Sequence, residues 1–196
     1  TKVLCVGLNY ASHLQGREAP THPEIFYKPL TALQDPEGPI EIPLDSKDLH
    51  FEAEVVIVIG RKARHVSKEE AEDYIFGYTC GNDVSERNWQ KGSMGDAADR
   101  QWWRAKGSDT FAPLGPCIAT GLAYRDSRIQ CLLNGEVVQS QVLSDLIFDA
   151  PTMVSFASRY VTLLPGDVIY TGTPGKTKAM KPGDVVEVVI EGIGTL

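Results

Sequence analysis

The feature that most constrains this chain is the stretch HFEAEVVIVIG, which occupies residues 50–60. The apolar run over residues 55–59 predicts a strand buried in the interior. Glu52 and Glu54 stand two positions apart before this run, and side chains two positions apart in a strand point to the same face. Because a buried, ionised carboxylate costs several kcal/mol unless a positive charge meets it, the two acids predict a divalent cation between them.

Composition limits the fold and the partners. The chain has 196 residues, of which 42% are hydrophobic, so we expect residues 1–196 to form a single domain with a substantial core. The net charge of −7 and the pI of about 5.1 argue against nucleic-acid and membrane partners, which select basic surfaces, and favour small-molecule chemistry. Because both ends stop abruptly, we expect the natural polypeptide to extend beyond them.

The distribution of cysteines and apolar residues predicts the cellular location. The four cysteines are far apart and include no CxxC pair, which argues against a disulfide framework or a zinc site. No apolar run approaches the roughly 18 residues that a membrane span needs, and the N-terminus shows no secretory leader. We therefore expect a cytoplasmic protein, with a mitochondrial one as the alternative.

A third carboxylate follows the next predicted strand, which covers residues 74–80. Asp83 stands just after its end and before residues of helical character, so it could face the same cavity as Glu52 and Glu54. Three carboxylates suit hard, oxygen-preferring ions: magnesium or manganese, with calcium as a third candidate. The alternative for Asp83 is an ordinary turn or helix cap, which taken singly is the better interpretation.

Two basic residues are candidates for catalysis. Lys106 leads into a strand pattern, and near three carboxylates it would stay protonated and could hold an oxyanion. Its alternative is a solvated surface lysine. His13 lies at the exit of a short strand, on a brief helical stretch over residues 12–15, and its alternative is a surface histidine.

Two loops could cover a site. Residues 16–23 are small, polar and proline-containing, as in a mobile lid, and residues 91–104 show no clear periodicity.

Between the two predicted strands, Ser67 and Glu70 match a capping box that opens a short helix to about residue 73.

The second half of the chain predicts mostly structural elements. Asn134-Gly135 between apolar flanks indicates a hairpin, and residues 151–163 carry apolar side chains at helical spacing. A Pro-Gly-Asp turn feeds a strand twice, at residues 165–167 and 182–184. This pattern favours a mostly antiparallel, folded-over sheet rather than a doubly wound one.

Taken together, seven ordered motifs make the chain resemble the fumarylacetoacetate hydrolase family along nearly its whole length. They are VGLNYASH, FYKP, FEAEVVIVIG, GYTCGNDVSERNWQ, AKGSDTFAPLGP, LNGE and LLPGDVIYTGTP. The resemblance implies an α+β, mainly β fold, a mixed β-sandwich roll with a few short helices. It also implies a homodimer and a magnesium or manganese ion held by Glu52, Glu54 and Asp83.

The resemblance implies roles for residues around a small keto acid. Lys106, Arg87, Gln90 and Thr173 would surround the substrate's carboxylate and keto oxygens, and the neighbours Tyr27 or Lys28 would stand near the entrance of the site.

Members of the family share a metal-bound enolate intermediate but differ in reaction. We expect hydrolysis of a carbon–carbon bond in an acylpyruvate or a fumarylacetoacetate-like 1,3-diketo acid. The alternatives are an oxaloacetate-type decarboxylase, a dienoic-acid isomerase or hydratase, and a non-catalytic binding protein on the same scaffold. The buried charges argue against the last, because they destabilise a fold when unpaired.

The expected base departs from the family's pattern. His13 matches the histidine that relatives use, which is usually paired with a glutamate three residues later. Here that position is Gly16, and the nearest acid is Glu18. Without a carboxylate to orient the ring, His13 would be a poorer base unless Glu18 substitutes after closure of the lid.

Overall fold

The computed structural model describes residues 1–14 and 16–196, in which two larger β-sheets and a two-stranded one form the framework. The strands of the first sheet are, in spatial order, β2 (Glu24–Lys28), β1 (Val3–Gly7), β11 (Val168–Tyr170), β5 (Ala53–Ile59), β6 (Ile75–Asn82), β8 (Ala112–Ala119) and β3 (Leu33–Gln34). Those of the second are β10 (Glu136–Val142), β9 (Arg128–Leu133), β12 (Val186–Ile190) and β13 (Gly194–Thr195). The short sheet pairs β4 (Leu49–His50) with β7 (Ser85–Glu86).

Most neighbouring strands are antiparallel, as the sequence predicts. Among the strands of the described residues, the pairs β1–β11 and β3–β8 are parallel, and the other pairs are antiparallel. Each Pro-Gly-Asp turn precedes a strand, β11 in the first sheet and β12 in the second. The predicted hairpin joins β9 to β10, and both turn residues, Asn134 and Gly135, have positive φ (55° and 79°), which suits a tight two-residue turn.

The central strand β5 is buried on both faces and separates two cores. Its odd-numbered residues join the larger core, which lies against β9 and β12 of the second sheet. Val56 and Val58 point the other way, into a smaller core with Cys5. Glu54 has the phase of Val56, and Glu52 precedes it by two positions, so both carboxylates belong to the side of the smaller core.

The helices are short, with one exception. They are α1 (Ala11–Leu14), α2 (Arg87–Lys91), α3 (Trp103–Gly107) and α4 (Ala150–Tyr160), with 3₁₀ turns at Leu30–Ala32, Ala71–Tyr74, Tyr124–Asp126 and Leu143–Asp145. Asp149 caps α4 by accepting a hydrogen bond from the backbone N–H of Thr152 at 3.0 Å. The buried face of α4 packs into the larger core, as its apolar spacing predicts. None of the helices in the described part of the chain is long and apolar enough to cross a membrane.

The structure differs from the prediction of a helix after Ser67, and it describes only part of the helical stretch predicted over residues 12–15. The capping-box contacts form, because Ser67 Oγ donates to Glu70 Oε2 at 2.8 Å and accepts from the Glu70 N–H at 3.3 Å. They are followed by a 3₁₀ turn (Ala71–Tyr74) rather than an α-helix, since β6 begins at Ile75 and leaves no room for a longer helix. In the other predicted stretch, α1 ends at Leu14, and Gln15 lies outside the described residues.

Gln139 of β10 links the second sheet to the start of β5. Its side-chain oxygen accepts from the Ala53 N–H at 3.3 Å, and its amide donates to Thr173 Oγ1 at 3.0 Å and to the Pro174 carbonyl at 2.6 Å. Gln139 is 5% exposed, so these groups depend on each other rather than on water. This side chain therefore fixes the segment after β11 beside Glu54.

We predict that Gln139→Ala lowers the free energy of unfolding by about 2–3 kcal/mol, because it leaves buried backbone groups of Ala53 and Pro174 without partners. Urea denaturation followed by circular dichroism measures this change. The exposed Gln101→Ala is the matched control and should change stability by no more than about 0.5 kcal/mol. Equal unfolding free energies for Gln139→Ala and wild type would contradict the linking role.

Candidate metal centre

Three acidic side chains meet at the end of the β5–β6 pair, on the side of the smaller core. We call Glu52, Glu54 and Asp83 the carboxylate cluster. One oxygen of each lies within 4.8 Å of the others, and the three residues are 5%, 1% and 2% exposed. The Asp83 N–H donates to the Glu52 carbonyl at 2.9 Å just after β6 ends, which holds Asp83 beside Glu52. The structure thus brings together the three residues that the sequence predicts as metal ligands.

Lys106 is buried in the middle of this cluster. Its ammonium donates to Glu52 Oε2 at 2.8 Å, to Asp83 Oδ2 at 2.7 Å and to Ser85 Oγ at 2.7 Å. Burial favours the neutral amine, but Asp83 and Glu52 outweigh it and raise the pKa of Lys106 above its ordinary value. Lys106 is therefore a fixed positive charge rather than a surface lysine.

The local structure around Lys106 differs from the prediction. The stretch over residues 91–104 is a loop only in part, because α3 begins at Trp103 and carries Lys106 in its last turn. Asp99 explains this helix, since its carboxylate accepts hydrogen bonds from the backbone N–H groups of Arg104 at 2.9 Å and Ala105 at 3.0 Å. Asp99 lies four residues before α3, so the periodicity of the sequence does not indicate its capping role.

Lys28 supplies a second buried cation from the edge strand β2. Its Nζ lies 2.5 Å from Asp83 Oδ1 and donates to the carbonyls of Phe111 at 2.5 Å and Val84 at 3.3 Å. Tyr27 points to the other side of the strand and is 50% exposed. Of the two residues expected near the entrance, the structure brings Lys28 to the carboxylate cluster and leaves Tyr27 outside it.

Arg87 supplies the third cation from the first turn of α2. Its Nη2 forms an ion pair with Glu52 Oε1, and its Nη1 donates to Gln90 Oε1 at 2.7 Å. Burial opposes ionisation of Glu52, but Arg87 and Lys106 outweigh it and hold the pKa of Glu52 well below its ordinary value. We call Lys28, Arg87 and Lys106 the basic cluster.

Glu54 differs from the other two acids because no ion pair reaches it within residues 1–14 and 16–196. Its carboxylate accepts from the Gly172 N–H at 2.7 Å. Burial, together with the negative charges of Asp83 and Glu52, raises the pKa of Glu54 well above its ordinary value. Without a further cation, burial and the neighbouring negative charges therefore favour the neutral form of this carboxyl over the charged one.

The donor set fits a hard divalent cation. All three residues offer carboxylate oxygens, which magnesium, manganese and calcium prefer. Asp83 Oδ1 is buried and receives no hydrogen bond from the described residues, because Lys28 approaches it at an unsuitable angle. A metal ion held by the three carboxylates would supply a partner for this oxygen and a positive charge beside Glu54, so both unusual features of the cluster have one explanation.

Thr173 is buried but does not contact the cluster. Its hydroxyl donates to the Ala53 carbonyl at 2.9 Å and accepts from Gln139, so it serves the link between the sheets. Gln90 lies next to the cluster through its contact with Arg87. The substrate-binding roles of both residues stay predictions.

His13 is half-buried on α1, and its Nδ1 lies 2.6 Å from the Gly175 carbonyl. Because a carbonyl can only accept, this contact assigns the proton to Nδ1 and leaves a lone pair on Nε2. The neighbouring Ser12 hydroxyl accepts from the Gly175 N–H at 3.3 Å, so α1 holds Gly175 by both backbone groups. Glu18 is exposed, and no hydrogen bond or ion pair joins it to His13 in the part of the chain that the structure describes. The structure thus orients His13 without the expected glutamate.

Two supporting residues were missed from the sequence. The Ser85 hydroxyl accepts from Lys106 and donates to the Asp83 carbonyl at 2.8 Å. The buried carboxylate of Glu86 caps α2, accepting from the Trp89 N–H at 2.6 Å. Both residues belong to the polar stretch directly after Asp83, where Glu86 precedes a helical segment as a helix cap does.

Comparison with known proteins identifies the family. A family model described as fumarylacetoacetate (FAA) hydrolase C-terminal matches residues 2–196. The chain belongs to the fumarylacetoacetate hydrolase family. Its mainly β fold with few helices is the fold of that family, and the chain is an enzyme domain of this type.

Relatives in the fumarylacetoacetate hydrolase family carry several activities. The sequence of this chain is 47% identical to that of 5-carboxymethyl-2-hydroxymuconate delta-isomerase from Mycobacterium smegmatis. The two structures superpose with a TM-score of 0.91, and the match covers 100% of this chain and 76% of the isomerase chain. The chain is 32% identical to fumarylpyruvate hydrolase from Pseudomonas aeruginosa in complex with Mn²⁺ and pyruvate, with a TM-score of 0.87 over 100% and 87%. It is 37% identical to mitochondrial oxaloacetate tautomerase fahd2 from Xenopus laevis over 100% of this chain and 64% of that protein.

We predict that manganese stabilises the wild-type protein and that Glu54→Gln removes most of this effect. A metal at one hundred times its dissociation constant adds about 2.7 kcal/mol, provided that it binds only the folded state. In EDTA, the melting temperature of Glu54→Gln should equal or exceed that of wild type, because the substitution removes a buried carboxyl that lies beside the negative charges of Asp83 and Glu52. Differential scanning calorimetry measures both quantities.

The exposed Glu69→Gln is the matched control for this experiment and should respond to manganese as wild type does. An equal rise in melting temperature for Glu54→Gln and wild type would show that the metal binds elsewhere.

Proposed function

We propose that this chain hydrolyses a carbon–carbon bond in an acylpyruvate or a fumarylacetoacetate-like 1,3-diketo acid, with magnesium or manganese as cofactor. The observation that carries the proposal is the buried carboxylate cluster in contact with the basic cluster. Such a group of charges is costly to keep in the interior unless a metal and an anionic ligand complete it.

The two clusters have different tasks in this reaction. When bound to the carboxylate cluster, the divalent ion supplies a positive charge that attracts adjacent keto and carboxylate oxygens of the substrate and stabilises charge that develops there. Lys106 keeps its proton because of its acidic neighbours and adds a second positive charge beside them. Arg87 offers a planar guanidinium, which suits a carboxylate.

His13 supplies the base. With Nδ1 bound to the Gly175 carbonyl, Nε2 can take a proton from water. The water oxygen forms a bond to the distal carbonyl carbon, and the carbon–carbon bond then breaks with its electron pair staying on the pyruvate fragment. That fragment takes up the proton that His13 removed from water, so that acetylpyruvate and water give pyruvate and acetic acid, which releases its proton to form acetate.

One observation favours a second candidate, a keto–enol tautomerase or isomerase. The partner of His13 is a neutral carbonyl, which orients the ring but stabilises a protonated imidazole less than a carboxylate would. Tautomerisation needs a base for a carbon-bound proton but no activated water. The names of the Xenopus and Mycobacterium relatives agree with this alternative. Decarboxylation of oxaloacetate also needs no activated water.

Turnover of acetylpyruvate and oxaloacetate, side by side, tests the proposal. We predict manganese- or magnesium-dependent cleavage of acetylpyruvate that EDTA and Glu52→Ala abolish. Metal-dependent loss of enol absorbance from oxaloacetate alone, without carbon dioxide release, would instead support the second candidate, and carbon dioxide release would support decarboxylation. Cleavage that persists in EDTA and in Glu52→Ala would contradict both.

We predict that His13→Ala lowers kcat for acetylpyruvate by about a hundredfold or more, the usual range for removal of a general base. Glu18→Gln is the matched test of the other candidate partner and should leave kcat unchanged, since Glu18 is exposed and apart from His13. A comparable loss in Glu18→Gln would show that Glu18 assists the base, and full activity of His13→Ala would exclude His13.

A further inference from the structure

The Arg87 guanidinium lies at one end of a hydrogen-bonded chain that reaches the protein surface. Arg87 Nη2 donates to Thr177 Oγ1 at 3.2 Å, and the same hydroxyl lies 2.8 Å from His50 Nδ1. His50 Nε2 lies 2.9 Å from Asp48 Oδ1.

These contacts are consistent with one direction of donation. Arg87 only donates, so the Thr177 oxygen accepts from it and the Thr177 proton remains for His50 Nδ1. A carboxylate only accepts, so His50 Nε2–H donates to Asp48. Asp48 therefore orients the His50 ring, and His50 orients the Thr177 hydroxyl. The hydroxyl oxygen in turn holds one nitrogen of the Arg87 guanidinium.

Backbone hydrogen bonds hold together the segments that carry Asp48, His50, Thr177 and Arg87. The Arg87 N–H donates to the Asp48 carbonyl at 2.9 Å, and β4 pairs with β7 so that His50 stands opposite Ser85. An isolated bridge joins His50 to Ala179, which brings the segment of Thr177 alongside β4. Thr177 thus ties the segment after β11 to the start of α2.

The Arg87 contacts leave part of its guanidinium available. Within the described residues, its side chain makes hydrogen bonds to Glu52, Gln90 and Thr177. A guanidinium has five N–H donors, so about two remain for an anion. Without the Thr177 hydroxyl, Nη2 would be hydrogen-bonded to Glu52 alone. The guanidinium plane could then rotate, and the remaining N–H donors would point away from the anion.

We propose that Thr177 and His50 are positioning residues that hold Arg87 in the orientation that binds the carboxylate of a 2-oxo acid. The inference rests on the proposed function, because it assumes that Arg87 faces such a substrate. It adds Thr177 and His50 to the determinants of substrate binding, although neither touches the carboxylate cluster.

Thr177→Val tests the inference, since valine keeps the shape of threonine and removes the hydroxyl. Calorimetric titration of manganese-loaded protein with pyruvate should give a dissociation constant about tenfold higher than for wild type, as expected for one misplaced hydrogen bond to a charge. KM for acetylpyruvate should rise by a similar factor, with kcat changed less than about threefold. A purely structural defect would lower the active fraction and therefore kcat, not KM.

Four further variants keep the test decisive. Thr177→Ser retains the hydroxyl and should bind pyruvate as wild type does. His50→Leu should weaken binding, and His50→Asn, whose side chain can still accept from Thr177, should restore part of it. Thr31→Val, at an exposed threonine, is the matched control and should have no effect.

Unchanged pyruvate binding in Thr177→Val, or wild-type protein that binds no pyruvate with manganese, would overturn the inference. Failure of the proposed function gives a different result, in which wild type binds pyruvate but does not cleave acetylpyruvate. In that case, weaker pyruvate binding by Thr177→Val would still support the positioning role.

Discussion

The structure depends on burying three carboxylates beside three cations in one interior volume. Each ion alone would cost several kcal/mol to desolvate, and removing one partner of such a group typically costs about 3–5 kcal/mol. The cations come from β2, α2 and α3, so these elements must dock correctly before the charges are compensated. Glu54 is the exception, because it accepts a hydrogen bond from a backbone N–H but forms no ion pair with any residue that the structure describes. A divalent ion held by the three carboxylates would place a positive charge beside Glu54, and the added charge would attract an anionic substrate.

The position of β5 turns this constraint into a site. Its odd-numbered residues fill the core between the sheets, and its even-numbered positions supply Glu54 and part of the smaller core, with Glu52 directly before the strand. A shift of one residue in the register would exchange these sets and bury the acids in the larger apolar core. The rigid pair β5–β6 thus holds the carboxylates, while the segment after β11 carries the groups that orient His13 and Arg87.

The sequence predicted the elements whose signals are local. The apolar run of β5, the Asn134-Gly135 hairpin and the two Pro-Gly-Asp turns were all identified from neighbouring residues. The partners of the functional side chains depend on distant parts of the chain, which a single sequence does not reveal. His13 meets Gly175 across 162 positions, and His50 meets Thr177 across 127. A backbone carbonyl as the partner of His13 leaves no residue-type signal, so the search for an acid led to Glu18.

The central claim is that Glu52, Glu54 and Asp83 bind one divalent ion. Anomalous diffraction at the manganese edge, from crystals grown with manganese, tests it most directly. The account predicts one strong peak per chain, in contact with an oxygen of each of the three carboxylates. A peak that lies outside this group, or none at all, would contradict the account.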